Sequence, residues 1–408
     1  MPCDPAGTGE RHPPGADIPA GRLWRRSALR IFLLWAPVLV YQAASGPLGL
    51  VRGASPLGSL LLAACLCVAA FLTCHLLANG RWWLWLLPTL APPLLFAAVP
   101  AALLAAALLA AALGAGGPAP GRSLALAGAA LVVAMPESGL RAGFLRRRSA
   151  PGAAADAVRI VSWNTYYWHQ HDDPERFYAY LRGLDADVYL LQEYIYHVGN
   201  WRFRPLDDDA RLFARFPDYQ VAVHGQLVTM SRLPVEGTPT ALAAEVLRVD
   251  LRLAPGGTVL STYNLHIPVQ LGPFSPFSRL FYRVVRERAR ERDEQYGALV
   301  RDIAGNREAV IVAGDFNASP IVGDVHRLEL AATDAIRASH SLYPVSWNCR
   351  RRLLKLWRLD WAFVSGGARV HRYEFVDPGG RSDHCVQRLL VTVDQPEPRP
   401  ELRPASAR

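Results

Sequence analysis

Lysine is almost absent from this 408-residue chain. Lys355 is the only one, so the formal net charge of +9 comes almost wholly from arginine. The arginine accompanies abundant Ala, Gly and Pro, which indicates coding bias and weakens any argument for nucleic-acid binding from the high pI. The six cysteines form no C-x-x-C pair, so neither a structural zinc site nor a disulfide framework is predicted. Cys349 and Cys385 share the C-terminal half and could pair in an oxidising compartment.

Charged residues are also scarce between residues 31 and 139, where the long apolar runs lie. Arginines precede the first run and no small-residue cleavage site closes it, which predicts an uncleaved membrane anchor rather than a signal peptide. The candidate spans are residues 31–51, 55–78, 82–113 and 123–135. Residues 82–113 would measure about 48 Å as a helix against roughly 30 Å of hydrocarbon. They contain four prolines and are either one broken span or a re-entrant pair.

The number of spans decides on which side of the membrane the C-terminal half lies. Four spans with the N-terminus inside place Arg81 and the arginines of residues 141–148 inside as well. The positive-inside rule favours that arrangement, which puts the C-terminal half in the cytoplasm. Three or five spans would put it outside, and both arrangements stay open at this point.

The pattern predicts five regions. Residues 156–394 alternate apolar strand patterns with helical stripes, which is typical of an α/β domain. The regions are a disordered N-terminus (1–20), an all-α multi-span transmembrane region (21–148), a linker (149–155), the α/β domain (156–394) and a disordered Pro-rich tail (395–408).

Polar side chains recur at the ends of the predicted strands of the C-terminal domain. The buried strand 309–313 leads into Gly314, which is expected to give a sharp exit. Asp315 and Asn317 follow two residues apart, so they point the same way on an extended backbone. Asp360 lies within an apolar strand and needs a partner. The complete set is Asn164, Glu193, His266, Asp315, Asn317, Asp360, Asp383 and His384. Eight such residues together predict one active site.

The motifs around these residues resemble the endonuclease/exonuclease/phosphatase superfamily, which includes deoxyribonucleases, sphingomyelinases and inositol-polyphosphate phosphatases. The resemblance rests on Ser162-Trp163-Asn164, Leu191-Gln192-Glu193, Asn264-Leu265-His266, Gly314-Asp315-Phe316-Asn317, Leu359-Asp360-Trp361 and Ser382-Asp383-His384. It covers residues 156–394 in full order. It implies a four-layer α/β sandwich, two packed β-sheets flanked by helices, with the active site at one edge.

Chemistry and resemblance agree on the roles of the acids and amides. Glu193 is the expected ligand of a hard divalent cation, Mg²⁺ or Mn²⁺, with Asn164 and Asp383 beside it. Asp315 is expected to orient or deprotonate the attacking water. Asn317 is expected to hold a phosphate oxygen.

The two histidines are expected to act on the phosphate. His384, oriented by Asp360 in a carboxylate–imidazole pair, would stabilise or protonate at the phosphorus. His266 would donate to a phosphate oxygen from the opposite side. The residues leave open which group is the general base.

The substrate is less constrained. The anchor favours a membrane lipid or a lipid-linked phosphate, and the basic–apolar stretch 350–358 suits either a headgroup-facing rim or an exposed charged loop. A second basic run, 283–292, is interleaved with acids and predicts a solvated helix face. A membrane-tethered nuclease and a non-catalytic scaffold with a decayed domain are the alternatives. The sequence predicts no oligomeric state.

Residues 343–347 ahead of 357–361, together with the multi-span anchor, are also similar to actinobacterial membrane proteins of this superfamily. Some of those are linked to glycopeptide resistance and to dephosphorylation of the undecaprenyl-pyrophosphate carrier. This resemblance implies a cell-membrane protein whose catalytic domain lies outside the cytoplasm, which is our expectation.

Overall fold

The computed structural model describes residues 21–45, 55–114, 119–141, 157–200, 202–253, 257–351 and 354–394. The predicted disordered ends and the linker 149–155 lie outside the described residues. The helices are α1 (Gly21–Ser45), α2 (Pro56–Ala78), α3 (Leu94–Ala112), α4 (Ala119–Ala134), α5 (Pro174–Gly183), α6 (Asp209–Arg215) and α7 (Arg279–Gly305). The strands are β1 (Val158–Asn164), β2 (Val188–Gln192), β3 (Ile195–His197), β4 (Phe203–Pro205), β5 (Gln220–His224), β6 (Leu227–Ser231), β7 (Val235–Ala243), β8 (Val246–Arg252), β9 (Val259–His266), β10 (Ala309–Asp315), β11 (Thr333–Asp334), β12 (Asp360–Ser365), β13 (Ala368–Val376) and β14 (Val386–Val393).

The first four helices form the apolar region. Three of them are long and apolar enough to cross a membrane: Trp24–Ala44, Pro56–Ala78 and Leu94–Ala112. α4 has 16 residues and would measure about 24 Å. Trp83–Leu86 and Pro88–Leu90 form short 3₁₀ turns, because prolines interrupt the helical hydrogen bonds there. Residues 82–113 therefore contribute one long helix, and the re-entrant pair that would give five spans is not formed.

One end of this helical bundle contacts the C-terminal domain. Arg26, near the start of α1, pairs with Glu329 at 3.3 Å. Leu90, just before α3, accepts a hydrogen bond from the Trp357 indole at 3.3 Å, and Arg141, after α4, donates its backbone N–H to Leu342 at 2.9 Å. If all four helices cross the membrane, the start of α1 and the C-terminal domain share one side, as in the four-span reading of the sequence.

Asn79 fastens the end of α2 to the domain. Its side-chain amide donates to the Ile321 carbonyl at 2.8 Å and accepts from the Gly323 N–H at 2.8 Å. A Cβ at Gly323 would lie 2.7 Å from the backbone nitrogen of Gly80, so only glycine permits this approach. The Ile321 side chain is buried among the anchor helices.

Two six-stranded sheets pack face to face in the C-terminal domain, with strand orders β13-β14-β1-β2-β6-β5 and β11-β12-β10-β9-β8-β7. Ile160 and Leu190 of the first sheet meet Leu260 and Ile311 of the second in a buried core. Helices α5 and α6 cover the outer face of the first sheet, and α7 covers that of the second. The expected four-layer α/β sandwich is confirmed; β3 and β4 form a small separate hairpin.

Four strands bring their polar ends to one edge of the sandwich. β1 and β2 are parallel, as are β9 and β10, so each pair ends together. Asp315 at the end of β10 lies opposite His266 of β9 and opposite Asp360 at the start of antiparallel β12. Gly314 is part of β10 rather than a sharp exit from it. A Cβ there would lie 2.1 Å from the Leu265 carbonyl oxygen, so glycine is needed for close strand packing.

Candidate active site

His384 and Asp360 form a buried pair at the converging strand ends. His384 Nδ1 lies 2.9 Å from Asp360 Oδ2, and the Asp360 carboxylate is fully buried. The Ser346 hydroxyl accepts the backbone N–H of Asp360 at 3.0 Å, which fixes the start of β12. Burial alone lowers the pKa of His384, but the carboxylates of Asp360 and Asp315 raise that pKa well above its usual value. The Asp360 carboxylate therefore orients the ring and favours its protonated form.

Asp315 lies at the centre of the site. Its Oδ2 is 3.7 Å from His384 Nε2, 3.5 Å from His266 Nε2 and 3.0 Å from the Asn164 amide nitrogen. The backbone N–H of Asn317 donates to its Oδ1 at 2.8 Å. Both histidines thus face one carboxylate from different sides, which suits a site that holds a water or a phosphate between them.

Asn317 and Asn164 have their amides partly engaged within the protein. The Asn317 side-chain nitrogen donates to the Ile267 carbonyl at 3.0 Å. The Asn164 nitrogen points to the carboxylates of Glu193 and Asp315, while its oxygen accepts the Tyr166 N–H at 3.0 Å. As oriented, Asn164 bridges the two acids instead of offering an oxygen to a cation; its role as a ligand stays a prediction.

Backbone strain is concentrated around Glu193. Its φ of 64° lies in the left-handed region, which costs a non-glycine residue about 1 kcal/mol or more. Tyr166, Tyr167 and Trp168 form a consecutive left-handed turn, and the Tyr167 N–H donates to Glu193 Oε2 at 2.9 Å. Asn317 also has a positive φ, 44°. Residues with positive φ thus lie on both sides of the site.

The chemistry of Glu193 and Asp383 fits a divalent cation. Burial raises the pKa of Glu193, and the Asp383 carboxylate adds to that rise while His266 and the Asn164 amide oppose it. Asp383 Oδ1 is buried without a hydrogen-bond partner among the described residues. Two neighbouring carboxylates, one with an unsatisfied oxygen, are donors of the kind that Mg²⁺ and Mn²⁺ prefer.

A second group also has the spacing of metal ligands. One ligand atom each from Asp315, Asp360 and His384 lie within 4.8 Å of one another. Asp360 Oδ1 in this group is buried without a hydrogen-bond partner among the described residues, as Asp383 Oδ1 is. Both groups therefore offer oxygen donors of the kind that suits a divalent cation.

A disulfide supports the loop that carries Asp383 and His384. Cys349 and Cys385 are bonded across 36 residues, and both are buried. The Cys349 N–H donates to the Asp383 carbonyl at 2.9 Å, and the Trp347 indole donates to Asp383 Oδ2 at 3.1 Å. The pairing that the sequence left open is thus present, and Cys385 directly follows His384.

The site opens into a cavity of about 950 Å³. Six of the eight predicted residues line it, and Asn164 and Asp360 lie buried beneath them. The remaining walls are largely aromatic and apolar: Tyr166, Tyr167, Ile195, Phe203, Val269, Val322, Trp347, Trp357 and Leu359. Thr89 and Leu90, from the turn before α3, also line the cavity. The membrane region therefore forms part of the cavity, which nothing in the sequence motifs indicated.

Two basic residues have roles that sequence reasoning missed. Arg292 was expected on a solvated helix face, which is wrong: its side chain is buried and donates to the carbonyls of Pro268 and Asn317 at 2.6 and 3.3 Å. It clamps the loop that follows Asp315. Its position on the i, i+3, i+4 stripe with Tyr296 was the available signal.

The stretch 350–358 is only partly a surface rim. Arg358 is buried and forms a two-bond ion pair with Asp334 at 2.7 and 2.9 Å. The Arg350 guanidinium lies 4.7 Å above the Tyr166 ring at the cavity wall. Residues 352–353 lie outside the described residues. In this stretch Arg350 therefore adjoins the cavity, whereas Arg358 stabilises the fold.

The C-terminal domain is similar to several solved structures and to one family model. Similar solved structures include an endonuclease/exonuclease/phosphatase from Beutenbergia cavernae (17% identity, 58% of this chain and 72% of that chain, TM-score 0.43), the human Nocturnin catalytic domain with bound sulfate (15%, 59% and 96%, 0.44) and a Bacteroides thetaiotaomicron mannosyl-6-phosphatase (13%, 58% and 99%, 0.43). A search of curated proteins gives no significant match. The model of the Endonuclease/Exonuclease/phosphatase family matches residues 161–384, more than half of the chain and all eight site residues. The chain therefore belongs to the endonuclease/exonuclease/phosphatase family, whose members hydrolyse phosphate esters.

Proposed function

We propose that this protein is a membrane-anchored, divalent-metal-dependent phosphoesterase that hydrolyses a lipid-linked phosphate or pyrophosphate. The observation that carries the proposal is the cavity itself. Its floor holds Glu193, Asp315 and His384, and its wall includes Leu90 of the membrane region. A phosphate on a lipid that lies beside the anchor would reach this floor without leaving the membrane surface.

Each residue of the site has a separate role in the proposed reaction. Asp315 orients the attacking water and accepts its proton, since its carboxylate faces both histidines. His384, charged and held by Asp360, stabilises the developing charge or protonates the leaving oxygen, and His266 donates to a phosphate oxygen from the other side. Glu193 and Asp383 hold the cation. When bound, Mg²⁺ or Mn²⁺ would polarise the phosphate and neutralise its charge.

The composition of the cavity argues against the two alternatives. Its lining contains two arginines, Arg204 and Arg288, and two histidines, His266 and His384, beside five acids, of which three belong to the predicted site. A nuclease needs a broad basic groove along the nucleic-acid backbone, and the two arginines of this lining do not form one. A decayed scaffold would not keep eight polar residues in mutual hydrogen-bond and ion-pair geometry. Nucleic acid is therefore not the favoured substrate.

We also propose that the catalytic domain lies outside the cytoplasm, as in the actinobacterial proteins that the sequence resembles. The Cys349–Cys385 disulfide supports this side, because such bonds persist in oxidising compartments. The arginine distribution over four helices points to the opposite side. We give the disulfide precedence, because the charge rule is a bias on insertion whereas a buried disulfide requires oxidation.

Purified full-length protein with Mg²⁺ tests the activity directly. It is assayed in parallel on a polyprenyl pyrophosphate, sphingomyelin and plasmid DNA. We expect phosphate release from the lipid pyrophosphate and loss of that activity in EDTA. Strong DNA cleavage without phosphate release from lipid would replace the proposal with the nuclease function, and full activity in EDTA would refute the metal site.

The side of the membrane has its own test. C-terminal fusions to alkaline phosphatase and to a fluorescent protein report opposite compartments. An active phosphatase fusion supports the outer location. If the fluorescent-protein fusion is fluorescent and the alkaline-phosphatase fusion is inactive, the domain lies in the cytoplasm, and the proposed chemistry is unaffected.

A further inference from the structure

A group of exposed apolar side chains lies between β9 and the second turn of α7. Of the eleven large apolar residues that are exposed in the described part of the chain after residue 139, five fall between residues 269 and 282. They are Val269, Phe274, Phe277, Leu280 and Tyr282. We call residues 269–282 the aromatic loop. Phe277 is 98% exposed. So dense a run of exposed apolar side chains marks an interaction surface rather than scattered surface residues.

Hydrogen bonds hold this loop in one shape. The Ser275 carbonyl accepts the backbone N–H of Ser278 at 2.9 Å and its hydroxyl at 2.8 Å. The Ser278 hydroxyl also accepts the Phe281 N–H at 3.2 Å, which caps α7. The turn so formed presents Phe277 outward, and Phe281 is buried behind it. Phe277 is thus exposed by an ordered turn.

The aromatic loop lies beside the anchor. Its first residues, Val269 and Gln270, line the catalytic cavity together with Thr89 and Leu90 of the membrane region. α7, which follows the loop, packs on the 3₁₀ turn Trp83–Leu86. The aromatic loop therefore begins at the part of the cavity wall that the membrane region also lines.

Basic residues flank the exposed rings. Arg279, Arg283 and Arg286 are exposed and follow the spacing i, i+4, i+7, so they share one face of α7. None of the three forms an ion pair within the described residues. Aromatic side chains beside arginines are the composition of a segment that enters the headgroup layer of an anionic bilayer.

We propose that the aromatic loop inserts into the membrane that holds the anchor, with Phe274 and Phe277 in the headgroup–acyl boundary and the three arginines on anionic phospholipid headgroups. The loop then gives the domain a second attachment beside the mouth of the cavity. A soluble protein partner is disfavoured, because the neighbouring wall belongs to the anchor and the flanking charges complement lipid phosphates. The inference depends on the membrane anchor and not on the proposed substrate.

Photocrosslinking of the full-length chain in liposomes tests this placement. p-Benzoylphenylalanine replaces Phe277 in one variant and Phe213, a half-exposed residue of α6 on the opposite outer layer, in the control. The liposomes contain phosphatidylcholine and phosphatidylglycerol. After irradiation, intact-mass spectrometry measures the fraction of protein that has gained one phospholipid. We expect that fraction to be at least about fivefold higher at position 277 than at position 213.

Charge dependence gives a second readout. Arg279→Gln combined with Arg283→Gln should lower the adduct yield at position 277 several-fold, as should liposomes of phosphatidylcholine alone. Equal melting temperatures would show that the variants are folded. The proposal is overturned by no lipid adduct at position 277, by equal yields at 277 and 213, or by crosslinks to a second protein chain in place of lipid. A yield that is unaffected by lipid charge and by the arginines would remove the assigned role of those arginines.

Discussion

Asp360→Asn is the sharpest single test of the site. The substitution keeps the size of the side chain and leaves an oxygen that can accept the His384 Nδ1 hydrogen at the present 2.9 Å. The Ser346 hydroxyl still holds the backbone of residue 360. What disappears is the buried negative charge, so His384 is less readily protonated and less firmly oriented. The rate of phosphate release should therefore fall, while the variant protein should remain folded.

The size of the effect follows from the geometry. A unit charge pair at 2.9 Å interacts by about 6 kcal/mol at an effective dielectric of about 20. Asp315, 3.7 Å from the other ring nitrogen, retains part of that attraction in the variant. A loss on the order of 10²–10⁴ in rate is therefore expected, equal to about 3–5 kcal/mol and to the usual contribution of a positioned acid–base group.

The assay is steady-state release of phosphate from a lipid pyrophosphate at saturating Mg²⁺, with full-length protein in detergent. Asp302→Asn is the matched control, because Asp302 also binds a basic side chain, Arg248 at 3.2 Å, but at the far end of α7. It should change the rate by less than about threefold. Unchanged turnover in folded Asp360→Asn protein would refute the role of the His384–Asp360 pair.

Three further predictions concern the cation, the anchor contact and the disulfide. Glu193→Ala should weaken Mn²⁺ binding in calorimetric titration more than Asn317→Ala does, and equal titrations would contradict the ligand assignment. His326 bonds Glu329 and the Pro320 carbonyl at 2.8 Å each, which raises its pKa to about 9 despite burial. Its stabilisation is complete below its unfolded pKa of about 6.5 and is lost as pH rises through about 9, by up to about 3 kcal/mol. The melting temperature of wild type should thus fall more from pH 7 to 10 than that of His326→Gln. Cys349→Ser opens a 36-residue loop and should lower stability by about 3–4 kcal/mol, and a melting temperature that is insensitive to reductant would contradict this.

The architecture and the composition of the site were predictable because their signals are local. Apolar runs in the sequence predict the buried strands. Because β1 pairs with β2 and β9 with β10 in parallel, the C-terminal ends of each pair lie together, independently of the segments that connect them. Asp360 in an apolar strand required a partner, and His384 is that partner. Such arguments need only the period of the strand and the cost of a buried charge.

The features that escaped prediction depend on tertiary contacts. The left-handed turn at Tyr166, Tyr167 and Trp168 has no glycine to signal it and exists because its N–H groups find acceptors such as Glu193. Gly314 is glycine because of the Leu265 carbonyl on a neighbouring strand. Arg292 has the sequence pattern of a surface arginine, but its side chain is buried because it donates to the loop that follows Asp315. In each case a distant segment decides the local conformation.

The loop that follows Asp315 continues directly into the contact with the anchor. Asn317 is clamped from α7 by Arg292, Ile321 is buried among the anchor helices, and the Gly323 N–H is held by Asn79. A loop fixed at both ends has less conformational entropy to lose when substrate binds, so its groups stay close to the geometry that the reaction needs. Because the anchor supplies one of those fixed ends and part of the cavity wall, it acts as a component of the active-site scaffold rather than as a tether.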